Sequence, residues 1–167
     1  MQSGPAGPGE VHLFDVETPD GLIPLLGETA GPSSWIEVTQ ERINAFAHAT
    51  DDLQWIHLDE QRTRAEFGHP PIAHGYLTLS LLAPAMYELI NIRRVGQMIN
   101  YGINKVRFIA PVLAGDRIRA TVSIAQAVRE EGFVRVIHDV TVNSDRLDKP
   151  VMIAQLVVLY FDPKPEG

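Results

Sequence analysis

The period of apolar and polar residues changes half-way along the chain. Over residues 117–124, Ile118, Ala120, Val122 and Ile124 fall on one face and Arg117, Arg119, Thr121 and Ser123 on the other, the two-residue repeat of a half-buried strand. The pattern slips at Ala125 to Ala127, as a bulge or the end of the strand would make it do. "FVRVIHDVTVN" keeps Val134, Val136, Val140 and Val142 in register, "MIAQLVVLYF" reads as a third strand, and "QMINYGINKVRFI" as a longer one before them. Turn signals at "PVLAGD", "REEG" and "NSDRLDKP" separate the strands.

Upstream the period is helical. "SSWIEVT" reads as a short strand, and Thr39 is a good N-cap for "QERINAFAHAT", where Ile43, Phe46 and Ala47 form one buried stripe. "EQRTRAEFG" is a second short helix, stopped at Gly68. Pro70 and Pro71 disfavour helix before Ile72. From Gly75 to Ile90 the residues are apolar on almost every face, so this helix must be wrapped by other structure. Pro84 should kink or restart it.

One-sided antiparallel strands need a cover on their apolar face, and only the helix from Gly75 to Ile90 is apolar enough. The expected fold class is α+β: a hot-dog fold, in which a curved antiparallel sheet wraps a long central helix. Such a sheet leaves edges that a second copy can complete, so a homodimer is expected. The Gly- and Pro-rich residues 1–30 are expected to form a flexible arm in which only "GLIPLLG" docks. Residues 31–163 then form a single domain and 164–167 a tail.

At 167 residues the chain suits one domain. A formal charge of -7 without any basic run argues against nucleic acid and anionic membranes as partners. The lack of cysteine excludes disulfides, thiolate catalysis and Cys-based zinc sites. The N-terminus has no basic start followed by an apolar run, so it does not read as a signal peptide. His74, Gly75, Ser80, Pro84 and Glu88 interrupt the longest apolar stretch, which reads as a core helix rather than a membrane span. A cytoplasmic protein is expected. "GETAGPSS" lacks the Lys and the helix of a phosphate loop. The spacing of Asp52, His57, His69 and His74 matches no helical metal-ligand pair. Neither a metal nor a cofactor is expected.

"ATDDLQWIHLDE", residues 49–60, carries the candidate chemistry. Trp55 and Ile56 should bury, pinning the backbone and turning Asp52 and His57 toward a shared space. A carboxylate and an imidazole near an apolar wall can hold one water, the carboxylate orienting it and the imidazole shuttling its proton. "IAHG" supplies a second element. Gly75 would open the central helix, where backbone N–H groups lack intrahelical partners and favour a polarised carbonyl oxygen. Equally, Gly75 would only relieve crowding. His74 reads as a core histidine bonded to a backbone carbonyl, or else as part of the site. Ser80 faces the apolar space beside the helix or bonds back to a carbonyl. Lys105 and Arg107 are the candidate contacts for a small anionic ligand.

"DDLQWIHLDE", "PPIAHGYLTLSLL" and "NYGINKVRFIAPVLAGDRIRA" resemble the MaoC-like dehydratases, the (R)-specific enoyl-CoA hydratases, and more closely the subgroup related to nodulation protein N. The resemblance runs from about Gly31 to Phe161. It implies a catalytic Asp52–His57 dyad and a Gly75 amide that binds the thioester carbonyl. Where the common pattern has Asn, this chain has Gln54, as the subgroup does, to position the water or hold the loop. The implied reaction is reversible syn addition of water to a trans-2-enoyl thioester of CoA or acyl carrier protein. Two other readings share the fold: an acyl-CoA thioesterase, against which His57 argues, and a non-catalytic dimer that binds acyl thioesters.

Overall fold

The computed structural model describes residues 12–164. In chain order these form β1 (Phe14–Val16), a 3-10 segment (Pro19–Leu25), β2 (Thr29–Ala30), β3 (Ile36–Glu37), α1 (Gln40–Thr50), α2 (Trp55–Leu58) and α3 (Glu60–Phe67). There follow α4 (Gly75–Ser80), α5 (Leu82–Leu89), β4 (Ile90–Ile92), β5 (Met98–Phe108), β6 (Arg117–Glu130), β7 (Phe133–Ser144) and β8 (Pro150–Phe161).

The main sheet is antiparallel in the order β2-β6-β7-β8-β5, with β3 on the same edge of β6 as β2. The slip read at Ala125 is a register shift between Ile124 and Gln126; β6 passes through it and continues to Glu130. The alternating residues build one buried floor: Ile118, Ala120, Val122 and Ile124 from β6, with Val134, Val136, Val140 and Val142 from β7. Leu77 of α4 and Leu82, Ala85 and Leu89 of α5 close over it. Each fully buried leucine of this kind contributes about 1.5–3 kcal/mol. The fold is therefore the expected α+β hot dog, with a central helix in two pieces. Leu81 breaks it, and α5 restarts with Pro84 in its first turn, where the missing N–H costs least.

The smaller helices end for local reasons. Thr39 caps α1 by accepting from Arg42 N at 3.2 Å. Gly68 stops α3 with φ 74, a left-handed conformation that glycine adopts freely.

Residues 12–30 are docked more extensively than an arm in which only residues 21–27 are expected to pack. Residues 1–11 lie outside the described residues, but from His12 onward the segment is docked. β1 pairs in parallel with β4, and β2 pairs with β6. Phe14, Leu22 and Ala30 are buried in the core. Glycine and proline suggested an arm by composition, but a few well-placed apolar side chains hold it down.

β5 is the opposite edge strand. Among the described residues its outer side is unpaired, and Ile99, Tyr101 and Ile103 on it are exposed, Tyr101 by 69%. Among the described residues no helix is long and apolar enough to cross a membrane.

One polar pair lies deep in this floor. His138 of β7 is fully buried, and burial depresses its pKa from the ordinary 6.5 to about 3. The unfolded chain binds a proton there near pH 6.5 and the folded chain does not, so stability falls as pH drops below 6.5. Asp15, Asp145 and Asp162, held below their ordinary 3.8 by hydrogen bonds from Arg93, Arg117 and Arg129, add their loss only in stronger acid. Denaturant titrations should show a loss on the order of 3 kcal/mol between pH 6.5 and pH 4. The variant His138→Gln should lose most of that slope.

Candidate active site

The loop after α1 is set by its first residue. Asp51 takes a left-handed conformation, φ 57, and ends the helix; aspartate tolerates this region better than most side chains. The chain then turns into the single-turn α2, which carries His57. Gln40 Nε2 donates to His57 O at 2.8 Å and Ile72 N donates to Ile56 O at 3.0 Å, tying α2 to α1 and to the segment before α4. Trp55, expected to bury, is half-buried. Its ring stacks on Phe67 at 5.4 Å between centroids, with the Arg62 guanidinium 3.8 Å from the ring centroid. Ile56 is also half-buried; the buried side chain of this turn is His57.

His57 Nδ1–H donates to Ile72 O at 2.6 Å, which leaves Nε2 as the free nitrogen of the neutral ring. Burial lowers the His57 pKa below 6.5. The Ile72 carbonyl opposes this, the neighbouring His74 adds to it, and the Asp52 carboxylate pulls it back up. His74 is buried and lies flat on His57, centroids 3.7 Å apart at 22°. Its Nε2–H donates to the Asp52 backbone carbonyl at 3.1 Å and lies 3.9 Å from Asp52 Oδ2. His74 is thus bonded to a backbone carbonyl, as its sequence context suggested, and in that position it braces both Asp52 and His57.

One nitrogen or carboxylate oxygen from each of Asp52, His57 and His74 lies within 4.8 Å of the other two. Sequence spacing argued against a metal site, yet the fold brings three of the four candidate ligands together. His74 Nε2–H is committed to the Asp52 carbonyl and His57 Nδ1–H to the Ile72 carbonyl, so these two nitrogens offer no lone pair to an ion. No direct hydrogen bond joins Asp52 to His57. The nearest ligand atoms of the two lie within 4.8 Å of each other, a span no longer than two hydrogen bonds end to end.

Gly75 is the first residue of α4. The first i→i−4 bond of that helix runs from Thr78 N to His74 O at 3.1 Å, so the Gly75 N–H has no intrahelical acceptor. A Cβ at Gly75 would meet the Phe108 ring at 2.8–2.9 Å; glycine is needed here for close approach. His57, Gly75, Thr78, Phe108 and Val151 line a cavity of about 300 Å³.

The other candidates separate. Gln54 precedes α2 with its side chain exposed and bonds only through its carbonyl, which accepts from His57 N at 3.0 Å. Ser80 donates to Tyr76 O at 2.8 Å and also lines a second cavity of about 330 Å³, further along the groove between α4–α5 and β5–β8. Lys105 and Arg107 line neither cavity. They alternate with Val106, whose partner Ala154 is buried, so they sit on the outer face of the edge strand. Thr78 and Phe108 were not singled out in the sequence. Thr78 lies three residues after Gly75, one turn along the same helix face, and that spacing was the available signal; nothing local marked Phe108.

The chain has clear relatives among known proteins. Residues 24–145 match the family model described as "MaoC like domain". The chain belongs to the MaoC-like dehydratase family. It is 42% identical to 3-hydroxyacyl-thioester dehydratase Z of Mycobacterium tuberculosis, over 83% of this chain and 93% of that one. It is 37% identical to nodulation protein N of Rhizobium meliloti, over 93% and 95% respectively. The structure superposes on the unliganded R-hydratase PhaJ1 from Pseudomonas aeruginosa with a TM-score of 0.63 at 21% identity, over 83% of this chain and 81% of that one. This MaoC-like chain therefore carries its polar cluster at the head of a helix in a dehydratase fold.

NMR titration should place the His57 pKa below 6.5. Removing the opposing charge with Asp52→Asn should lower it further, because the carboxylate favours the imidazolium.

Proposed function

We propose that the protein is an (R)-specific enoyl-CoA hydratase, or 3-hydroxyacyl-thioester dehydratase, that works in the cytoplasm as a homodimer. The observation that carries this reading is the Asp52–His57 gap beside the free Gly75 N–H. His57 and Gly75 line one cavity and Asp52 stands within 4.8 Å of His57, which supports a water site beside a carbonyl-polarising donor.

In the hydration direction Asp52 and His57 hold the water between them. His57 Nε2 is neutral and unbonded, so it takes the proton as the oxygen attacks C3 of the enoyl thioester. Charge moves to the thioester oxygen, where Gly75 N–H receives it; a donor so placed is worth about 3–4 kcal/mol. The proton returns to C2 from the same face, giving syn addition. His74 acts through the other two by fixing the Asp52 backbone and the His57 ring. Gln54 holds the loop through its carbonyl. The acyl chain runs down the groove past Thr78 and Ser80 into the second cavity. Lys105 and Arg107, on the outer rim, are left to meet the phosphates of the carrier.

The dimer reading rests on β5. An eleven-residue edge strand with exposed apolar side chains invites pairing, and Tyr76 and Tyr87 of the helices are also exposed. Tyr101→Arg should shift the protein toward monomer in analytical ultracentrifugation.

Turnover is tested with crotonyl-CoA, following conjugated-enoyl absorbance and free thiol separately. Loss of absorbance without thiol is expected, and thiol release would instead indicate a thioesterase. Binding without either change would indicate a non-catalytic protein. Asp52→Asn and His57→Ala should each lower kcat/KM by about a hundredfold or more while retaining the wild-type circular dichroism spectrum. The acid limb of the wild-type pH profile should fall below pH 6.5, since protonating His57 removes the base.

A further inference from the structure

The second cavity carries a polar feature that hydration does not require. The inward-facing residues beneath it are Val134, Val136, His138, Val140 and Val142 of β7, with Met152, Ala154, Leu156, Val158 and Tyr160 of β8. Only His138 and Tyr160 among these are polar. Tyr160 lines the cavity, and its hydroxyl lies 2.9 Å from His138 Nε2. The rings meet edge to face, with centroids 5.9 Å apart. Burial holds the imidazole neutral and pushes the phenol up, so the pair meets a ligand uncharged.

His138 Nδ1 is buried and has no partner. A neutral imidazole carries one N–H, and orphaned buried donors are rarer than under-used acceptors. The cheaper tautomer therefore has Nε2–H donating to Tyr160 Oη and leaves Nδ1 as a bare lone pair. In that arrangement the Tyr160 O–H cannot return the bond to His138 and is free to donate elsewhere. Asn100 of the neighbouring strand β5 lines the same cavity and is exposed, and its side chain has no hydrogen-bond partner among the described residues. Besides Ser80, whose hydroxyl is committed to Tyr76 O, and the exposed Tyr87, the polar groups of the lining are Tyr160 and Asn100, and the rest is apolar.

We infer that this cavity selects acyl chains that carry a neutral oxygen, a hydroxyl or ketone, which accepts a hydrogen bond from Tyr160 as oriented by His138. The inference rests on the hydratase reading for the direction in which the chain enters, and it names the substrate class of that site. Ala83 and Met86 of the cavity follow Gly75 by eight and eleven positions, roughly 12–16 Å along a helix. The oxygen therefore belongs near the far end of a medium-length chain, away from the thioester. His138 does not touch the ligand and is a positioning residue.

The test compares kcat/KM for a trans-2-enoyl-CoA of about ten carbons, a length suited to that 12–16 Å reach, with the same chain ending in a hydroxyl. Wild-type protein should prefer the hydroxylated chain by about tenfold, the effect of one neutral hydrogen bond. Tyr160→Phe should bring the ratio close to one; because each variant is compared with itself, a general loss of stability or rate cancels. A wild-type ratio near one overturns the inference whether or not the variant folds, and so does an unchanged ratio in folded Tyr160→Phe. If crotonyl-CoA is not hydrated, the hydratase reading fails by itself. The inference is then judged by calorimetric Kd values for the saturated ten-carbon acyl-CoA with and without the terminal hydroxyl. A tenfold difference that Tyr160→Phe removes sustains it, and equal values overturn it.

Discussion

A helix apolar on nearly every face cannot remain in water, and the rest of this molecule is arranged around that constraint. The long strands curve over α4 and α5 because only these segments offer enough apolar surface to cover the floor of the sheet. Enclosing the helix also places its first turn, with N–H groups lacking intrahelical partners, at the end of the sheet where the chain arrives from α3. The position of Gly75 beside a cavity is thus a consequence of how the core is built.

The polar cluster depends on the same enclosure. His57 and His74 come from segments that are distant in sequence and touch because the Ile56–Ile72 backbone bond draws the loop onto the head of the helix. Burial keeps His57 neutral, the Ile72 carbonyl selects its tautomer, and His74 sets the plane of its ring. Asp52 keeps a carboxylate that is 53% exposed, held through its backbone instead of its side chain. Half of the cluster is therefore buried and fixed while the Asp52 carboxylate meets solvent.

Stability and function meet again on the floor of the sheet. A buried imidazole with an unpartnered nitrogen is a poor choice for packing, since an aliphatic residue would fill the same register at lower cost. Its partner Tyr160 lies against the second cavity, which makes the floor there polar where the neighbouring registers are aliphatic.

By itself the sequence determined the types of the longer elements, the helix that must be covered, the break in the β6 alternation at Ala125, the cap at Thr39 and the stop at Gly68. Each depends on periodicity or on one residue's backbone preference, and neither needs distant partners. It also singled out Asp52, His57, His74 and Gly75, because those residues stand close together in two short motifs. Only the tertiary structure decided that residues 12–30 dock, that Trp55 stays half-exposed while His57 buries, that Lys105 and Arg107 face outward, and that Thr78, Phe108 and Tyr160 line the cavities. These depend on which face of which strand meets which helix, and that is settled by packing among residues far apart in the chain, a relation that local spacing does not encode.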